Sequence, residues 1–263
     1  MAIPATPAVI LSRAPDAVTI DAEPESLTIG MATTALVVVD MQNAYLSKGG
    51  YLDRVGFDVT ASPPVIEKAA AVVAAARYAG MFVVHLQNGF DELQTEAGGP
   101  TAPVWHKSNA LKYMRANPSE RGKLITHGTW DHDFVEQLRP SAGEAVVPKA
   151  RYSGFAGTHL EQLLRARGVT TILLVGVNTN VCVEATLRDA YHREFFALMI
   201  PDATLQAGPD FIFQATVFNV TRFFGWAASA DNVIDALLSK PVRHRVEYND
   251  AEVPSATRRQ SGI

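Results

Sequence analysis

Short apolar runs alternate with helical patterns through the middle of the chain. Residues 35–39 and 81–86 are strand-length apolar runs, and between them an apolar face recurs at helical spacing over residues 64–79. Ser62 is a candidate N-cap for this helix, and Gly80 is a candidate stop. The order predicts a strand–helix–strand unit whose helix lies on a sheet.

The same alternation continues toward the carboxyl end. The pattern predicts, in order, a strand at 144–147, a helix near 158–167, a strand at 171–175, a helix that contains Cys182, a strand at 196–200, and helices near 209–223 and 231–238. Strands built almost entirely from Val, Ile and Leu are buried on both faces, as in a parallel sheet that helices cover. We therefore predict a doubly wound α/β fold.

Three regions depart from this alternation and divide the chain. Residues 1–33 are rich in Pro, Ala, Thr and acidic side chains, and we expect an extended arm without an independent fold. Residues 87–143 are longer than an ordinary crossover and contain Gly and Pro breaks, which indicates an inserted lid or specificity region. Residues 240–263 are polar and should form a tail, which leaves one large domain over residues 34–239.

Composition and charge restrict the possible functions. The 263 residues carry a formal net charge of −4, which argues against binding to nucleic acid or to an anionic membrane. One cysteine cannot form an internal disulfide, and the amino terminus lacks the pattern of a secretory signal, so we expect a cytoplasmic protein. No apolar stretch approaches the roughly 18 residues of a membrane span.

Polar side chains of three reactive types follow the predicted strands. Asp40, Lys149 and Cys182 each come after an apolar run, and ligands of open α/β sheets bind beyond the carboxyl ends of the strands. Cys182 falls in the first turn of a helix, where N–H groups and the helix dipole favour a thiolate and can receive an oxyanion. The set suits covalent attack on a carbonyl: Cys182 bonds to carbon, Asp40 moves the proton, and Lys149 stabilises charge.

Each of these residues also has an ordinary structural interpretation. An Asp at a strand end often caps the following turn, a Lys after a strand is often a solvated loop residue, and a free Cys is often simply buried. Taken separately, Asp40, Lys149 and Cys182 would not identify an active site.

Other cofactor and metal chemistries lack their sequence signals. No G-x-G-x-x-G follows Asp40 and no G-x-x-x-x-G-K-[ST] occurs, so a nucleotide has no phosphate cradle. The histidines are scattered, and no DxHxxxH-like run follows His85. We predict a protein without cofactor or metal.

Three motifs together resemble the isochorismatase-like cysteine hydrolase superfamily. They are Val-Val-Val-Asp-Met-Gln-Asn at 37–43, Pro-Lys at 148–149 and Gly-Val-Asn-Thr-Asn-Val-Cys at 176–182. The resemblance implies an Asp40, Lys149 and Cys182 triad on a Rossmann-like, mostly parallel six-stranded sheet with helices on both faces. It also implies a homo-oligomer that acts on a small molecule.

Within that superfamily the chain is most similar to the members that hydrolyse ureidoacrylate. The closer similarity rests on residues 49–53, 87–89, 96–100, 106–111, 148–155 and 223–226. It implies that Cys182 attacks the ureido carbonyl, releases 3-aminoacrylate and forms a carbamoyl thioester, which water activated by Asp40 hydrolyses to carbamate. The implied oxyanion hole is the backbone N–H groups of Asn178 and Cys182, around a cis Val177–Asn178 bond.

The resemblance also implies a set of substrate-binding positions. They are Tyr45, Asn88, Glu96, Lys107, Ser108 and Tyr152. Glu96 could accept from the terminal amide, while Lys107 and the hydroxyl groups could receive the acrylate carboxylate. For Tyr45 and Tyr152, an aromatic wall that excludes water is an equal alternative. Asn178 replaces the small apolar residue of many relatives, so its side chain should crowd or hydrogen-bond the substrate.

Two alternative functions stay open. A biuret or triuret hydrolase would use the same triad on an uncharged ureide, and replacing Lys107 by Met should then raise the KM for ureidoacrylate far more than the KM for biuret. A non-catalytic small-molecule-binding member of the fold is the alternative of a different class. The joint presence of Asp40, Lys149 and Cys182 argues against it, because packing does not require all three residue types at these positions.

Overall fold

A computed structural model describes residues 7–239, and the tail predicted for residues 240–263 lies outside that range. The strands are β1 (Val9–Ile10), β2 (Ala17–Ile20), β3 (Leu27–Gly30), β4 (Thr34–Val39), β5 (Phe82–Asn88), β6 (Ala145–Lys149), β7 (Thr171–Val177), β8 (Phe196–Leu205) and β9 (Trp226–Ala227). The α-helices are α1 (Asn43–Leu46), α2 (Tyr51–Arg54), α3 (Ser62–Tyr78), α4 (Pro103–Lys107), α5 (Asn109–Ala116), α6 (Leu160–Ala166), α7 (Glu184–Tyr191), α8 (Asp210–Asn219) and α9 (Ala230–Leu238).

The main sheet confirms the predicted fold class. Its six strands are all parallel and lie in the order β6-β5-β4-β7-β8-β9. The chain starts in the centre with β4, adds strands on one side, and then crosses to the other side with β7. The carboxyl ends of β4 and β7 therefore form the switch point at which such sheets bind ligands.

Alternate side chains of the central strand enter two separate cores. Leu36 and Val38 of β4 pack into the core that α3 and α9 cover. Ala35, Val37 and Val39 point to the opposite face, into the core that α6 and α7 cover. All six residues of β4 are buried, because successive side chains of a strand point to opposite faces and both faces here carry helices.

The first 30 residues contain a small sheet that joins the domain. Strands β1, β3 and β2 lie side by side, and Ile20, Leu27 and Ile29 pack into the same core as α3 and α9. With Val18, which packs into the same core, the segment that we expected to be an extended arm contributes four buried apolar side chains to the domain. Asn232 of α9 also donates a side-chain hydrogen bond to the carbonyl of Asp21 at 2.9 Å.

The ends of α3 differ in how well the sequence predicts them. Gly80 adopts a φ of 69°, which confirms it as the stop. The prediction of Ser62 as the N-cap is wrong, because the helix begins at Ser62 and Ala61 holds the N-cap position. The Ser62 hydroxyl is buried without a hydrogen-bond partner. The sequence analysis also missed β9, whose two residues are too few to show a period.

The predicted insertion, residues 87–143, contains α4, α5 and several short 3₁₀ turns. Among residues 7–239, no helix has both the length and the apolarity that crossing a membrane requires.

Candidate active site

Three reactive side chains meet beyond the carboxyl ends of the central strands. Asp40 follows β4 directly, Lys149 ends β6, and Cys182 lies five residues after the end of β7. Lys149 Nζ is 2.7 Å from Asp40 Oδ2, and both side chains are completely buried. The Cys182 thiol lies close enough to both groups for each of them to influence its pKa. The three residues that the sequence predicted as a triad therefore form one contiguous cluster.

The backbone of Asp40 is bent sharply away from the strand. Its φ of 49° is unusual for a residue with a side chain. The Asp40 N–H nonetheless donates to the carbonyl of Leu86 in β5 at 3.1 Å, so the strained residue is held by the neighbouring strand. Such strain persists where the surrounding structure fixes it, and here it directs the carboxylate toward Lys149 and Cys182.

Lys149 is held as a charged group on three sides. Its ammonium donates to the carbonyl oxygens of Arg151 and Tyr152, each at 3.1 Å, in addition to the ion pair with Asp40. Two of the three ammonium donors thus bond to backbone carbonyls, while the Asp40 carboxylate balances the charge. Burial lowers the pKa of Lys149, but the attraction of Asp40 and Cys182 outweighs burial and leaves the pKa above its ordinary value.

The buried position of Cys182 favours the neutral thiol. Cys182 lies in the wide helical turn Thr179–Val183 that leads into α7, and only 2% of its surface is exposed. Burial raises the pKa of the thiol to about 12, and Asp40 contributes in the same direction against the opposing effect of Lys149. Burial therefore opposes the thiolate that the position of Cys182 at the start of a helix is expected to favour.

Asp40 has a perturbed carboxyl group that can act as a base. Burial raises the pKa of Asp40, and the positive charge of Lys149 opposes this effect. A carboxylate with a raised pKa, in contact with a thiol, is an effective acceptor for the thiol proton.

A buried amide network fixes the positions of the triad. Asn88 at the end of β5 donates from Nδ2 to the carbonyl of Lys149 at 3.0 Å and accepts from the Tyr45 hydroxyl at Oδ1, at 2.6 Å. Gln42 accepts from the Asn88 N–H at 2.8 Å and donates to the Asn88 carbonyl at 2.9 Å. The sequence analysis assigned no role to Gln42, although it stands two residues after Asp40 in the first motif.

Gln42 also fastens the insertion to this network. Its Nε2 donates to the carbonyl of His132 at 2.7 Å, within the predicted lid region. The side chain is completely buried, so each of its hydrogen bonds replaces one that water would otherwise make. One amide thereby links the end of β5, the insertion and the turn after Asp40.

The other predicted residues lie at different distances from the triad. Tyr152 is 42% exposed, and its backbone carbonyl accepts a hydrogen bond from the Lys149 ammonium. Asn178 is buried, and the Val177–Asn178 peptide bond before it is cis, as the resemblance implies. Glu96 accepts from the N–H of Asp91 at 2.8 Å and lies 3.4 Å from the imidazole of His127.

Lys107 and Ser108 lie at the junction where α4 ends and α5 begins. Lys107 is exposed at the end of α4, while the Ser108 hydroxyl accepts from the N–H of Leu111 and caps α5. Within residues 7–239, no hydrogen bond or ion pair joins Glu96, Lys107 or Ser108 to the triad. That same part of the chain holds no cluster of three or more His, Cys, Asp or Glu side chains suited to a metal ion.

Comparisons with known proteins agree with this geometry. A family model described as the isochorismatase domain matches residues 34–232. The chain is 51% identical over 231 residues to ureidoacrylate amidohydrolase RutB of Stutzerimonas stutzeri, covering 88% of this chain and 93% of that protein. It is 53% identical over 227 residues to the protein of the same name from Methylorubrum extorquens, covering 86% and 92%.

Solved structures show the same fold. A cysteine hydrolase from Pseudomonas syringae pv. phaseolicola matches with a TM-score of 0.68 and 26% identity, covering 80% of this chain and 95% of that one. N-carbamoylsarcosine amidase from Thermoplasma acidophilum matches with a TM-score of 0.57 and 26% identity, covering 76% and 97%. On the family model and the identity to these relatives, the chain belongs to the isochorismatase family and is a hydrolase of that family.

Proposed function

We propose that this protein is an amidohydrolase that cleaves the ureido C–N bond of ureidoacrylate, or of its peroxy form, through a carbamoyl-thioenzyme. The observation that carries the proposal is the buried cluster of Asp40, Lys149 and Cys182, with Lys149 Nζ 2.7 Å from Asp40 Oδ2. Relatives more than half identical to this chain bear the name ureidoacrylate amidohydrolase, which supports the choice of substrate.

The first half of the reaction forms the thioester. Asp40 removes the thiol proton, and Sγ of Cys182 bonds to the ureido carbonyl carbon. As the tetrahedral intermediate collapses, the C–N bond to the acrylate nitrogen breaks and Asp40 returns the proton to that nitrogen. 3-Aminoacrylate leaves, and the carbamoyl group remains on Cys182.

The triad can move this proton without changing the net charge of the buried site. Before transfer, the charges are the Asp40 carboxylate and the Lys149 ammonium, beside a neutral thiol. After transfer, they are the Cys182 thiolate and the same ammonium, beside a neutral carboxyl group. An isolated buried charge is very costly. Because the Lys149 ammonium pairs first with the Asp40 carboxylate and then with the Cys182 thiolate, it lowers the free energy of the proton transfer despite a thiol pKa of about 12.

We assign the oxyanion hole to the backbone N–H groups of Asn178 and Cys182. Both residues belong to the turn after β7 and both are buried, with 7% and 2% of their surface exposed. Donors that are fixed before the reaction and shielded from water stabilise a developing oxyanion strongly. The Asn178 side chain lies in the same turn and is expected to influence the choice among ureides.

The second half of the reaction frees the enzyme. Asp40 takes a proton from water, whose oxygen bonds to the carbamoyl carbon, and the C–S bond breaks with return of the proton to Cys182. The product is carbamic acid, which ionises to carbamate and decomposes to carbon dioxide and ammonia. Water is the only co-reactant that these steps need.

Substrate recognition is assigned to two groups of residues. In the first group, Asn88 and Tyr152 contact Lys149 through hydrogen bonds, and Tyr45 acts on the site by positioning Asn88 through its hydroxyl group. Glu96, Lys107 and Ser108 come from the insertion. The Lys107 ammonium forms no ion pair with any residue from 7 to 239, which leaves it available for the acrylate carboxylate.

The experiment that tests the proposal measures ammonia release from ureidoacrylate, biuret and nicotinamide. The wild type should prefer ureidoacrylate, and intact-protein mass spectrometry during turnover should find a carbamoyl adduct on Cys182. Cys182→Ser and Asp40→Asn should each lose at least about a thousandfold in kcat/KM, because both half-reactions need the thiol and the base. Asp58→Asn, at an exposed aspartate, should retain wild-type activity.

Each result bears on a separate part of the proposal. Preference for biuret, with the adduct present, would keep the cysteine chemistry and contradict the substrate. Ammonia release that persists at the wild-type rate in Cys182→Ser would contradict the mechanism.

A further inference from the structure

Helix α8 is apolar on every side and yet lies on the surface. Phe211, Ile212, Phe213, Val217 and Phe218 are distributed around it, and its only buried residue is Thr216. Phe211 is 71% exposed and Phe218 is 57% exposed. A helix that is apolar all round is normally buried, so α8 has an outer face that residues 7–239 do not cover.

The exposed surface of α8 continues into neighbouring aromatic side chains. The ring of Phe218 lies 6.4 Å from that of Phe223, which lies 6.3 Å from Phe224, whose ring is 5.6 Å from Tyr191. Beside them, Phe196 borders a groove of about 430 Å³ that none of the triad residues lines. We call the surface formed by Tyr191, Phe196, Phe211, Phe218 and Phe223 the aromatic face.

The aromatic face is large enough to contribute most of a stable interface. Its five side chains are 40% to 71% exposed. With about 200 Å² for a fully exposed aromatic side chain, they present about 550 Å². A stable interface buries about 800 Å² on each partner, so adjoining residues need to add only about a third.

Two charged side chains at the groove indicate that the partner of the aromatic face is a second copy of this chain. Arg222 and Glu194 both line it and both are exposed. Neither forms an ion pair with another residue in the described part of the chain. Glu25 also lines the groove, but it accepts a hydrogen bond from the Trp226 indole N–H at 3.1 Å. Arg222 and Glu194 thus place one charge of each sign beside the apolar face, which makes the surface complementary to itself under two-fold symmetry. A membrane surface would instead favour a cationic rim.

We propose that the aromatic face is the interface of a two-fold symmetric association between two copies of this chain, in which Arg222 of each copy pairs with Glu194 of the other. The apolar area supplies the affinity, and the two symmetry-related ion pairs fix the register. The surface lies on the β8–β9 side of the sheet, apart from the substrate-binding positions of the insertion.

The first test compares the association state of full-length variants by sedimentation equilibrium at about 1 to 50 µM. The wild type should associate, and the double variant Phe218→Ser with Phe223→Ser should dissociate to monomers with unchanged circular dichroism. Leu93→Ser is the matched control, because Leu93 is 72% exposed but lies on the insertion, and this variant should associate like the wild type.

A charge exchange tests the predicted register. Arg222→Glu should weaken association at least about tenfold, since it places two acidic groups opposite each other. Adding Glu194→Arg should restore the wild-type dissociation constant.

Three outcomes would overturn the proposal. One is a wild type that stays monomeric through the concentration range. The second is an oligomer that the Phe218 and Phe223 double variant leaves intact, which would place the interface elsewhere. The third is a charge exchange that does not restore association, which would exclude the pairing of Arg222 with Glu194.

Discussion

At the scale of single residues, the site depends on side chains that do not react. The Tyr45 hydroxyl reaches the triad only through Asn88, which in turn holds the carbonyl of Lys149. The Gln42 side chain fixes the backbone of Asn88, because it hydrogen-bonds both the N–H and the carbonyl of that residue. The reactive groups are therefore positioned by a chain of neutral hydrogen bonds, and neutral partners leave the charge balance of the proton transfer unchanged.

Removal of the Tyr45 hydroxyl should show whether this residue positions the triad or binds the substrate. Tyr45→Phe removes the hydrogen bond that the hydroxyl donates to Asn88 Oδ1, and such a bond contributes about 1 kcal/mol. We expect kcat to fall by about five- to tenfold with little change in KM. Steady-state kinetics checks this, with Tyr78→Phe at an exposed tyrosine as the control. A raised KM with unchanged kcat would instead assign Tyr45 to ground-state binding of substrate.

At the scale of elements, the central strands β4 and β7 approach each other so closely at one point that only a glycine fits there. A Cβ added at Gly176 in β7 would lie 2.1 Å from the carbonyl oxygen of Val39 in β4, and its φ is 118°. Asp40 follows Val39 directly, and Cys182 follows the same strand as Gly176. The close approach of these strands is therefore part of the geometry that brings Asp40 to Cys182.

Gly176→Ala should consequently impair both stability and activity. The clash with backbone cannot be relieved by moving a side chain, so we expect a loss of about 3 kcal/mol or more in the free energy of unfolding. Denaturant unfolding measures this. Gly157→Ala is the control, since Gly157 also has a positive φ but has open space around it, and about 1 kcal/mol is expected there. Equal effects of the two substitutions would contradict the role of strand spacing.

The predictability of the elements follows their length. The apolar runs at 35–39 and 171–175 identify β4 and β7 because five or more residues display a period or a continuous buried stretch. Strand β9 has two residues, and its place in the sheet comes from pairing with β8. No local pattern distinguishes so short a strand from a turn.

At the scale of the whole molecule, one charged network ties a helix to the sheet. Arg77 of α3 donates to both carboxylate oxygens of Glu144 at 2.8 Å, and His85 of β5 lies 3.0 Å from the same group. Burial alone would raise the pKa of Glu144, but these hydrogen bonds outweigh burial and lower the pKa to about 2. The network joins the amino-terminal side of β6 to α3 and β5, away from the active site.

This lowered pKa predicts a specific loss of stability in acid. Because the folded pKa of Glu144 lies below its unfolded value of 4.5, its contribution is complete above pH 4.5 and is lost as the pH falls toward about 2. Glu144→Gln should cost about 2 kcal/mol at neutral pH and should flatten the dependence of stability on pH in that window. Thermal unfolding across the acid range measures both effects.

Glu136→Gln is the control for that experiment. The Glu136 side chain is 82% exposed and pairs with Arg139 on the surface, where an ion pair contributes little. If both substitutions changed the acid dependence equally, the buried network would not be the cause.

The sequence by itself determined the alternating strands and helices, the sheet class and the three reactive residues, because each depends on neighbours within a few positions of the chain. Only the tertiary structure decided that Asp40, Lys149 and Cys182 lie together, that burial raises the pKa of the thiol, that Gln42 joins the insertion to the site, and that Ser108 caps a helix. Contact, burial and pKa are set by groups that are distant in sequence and become neighbours when the sheet assembles.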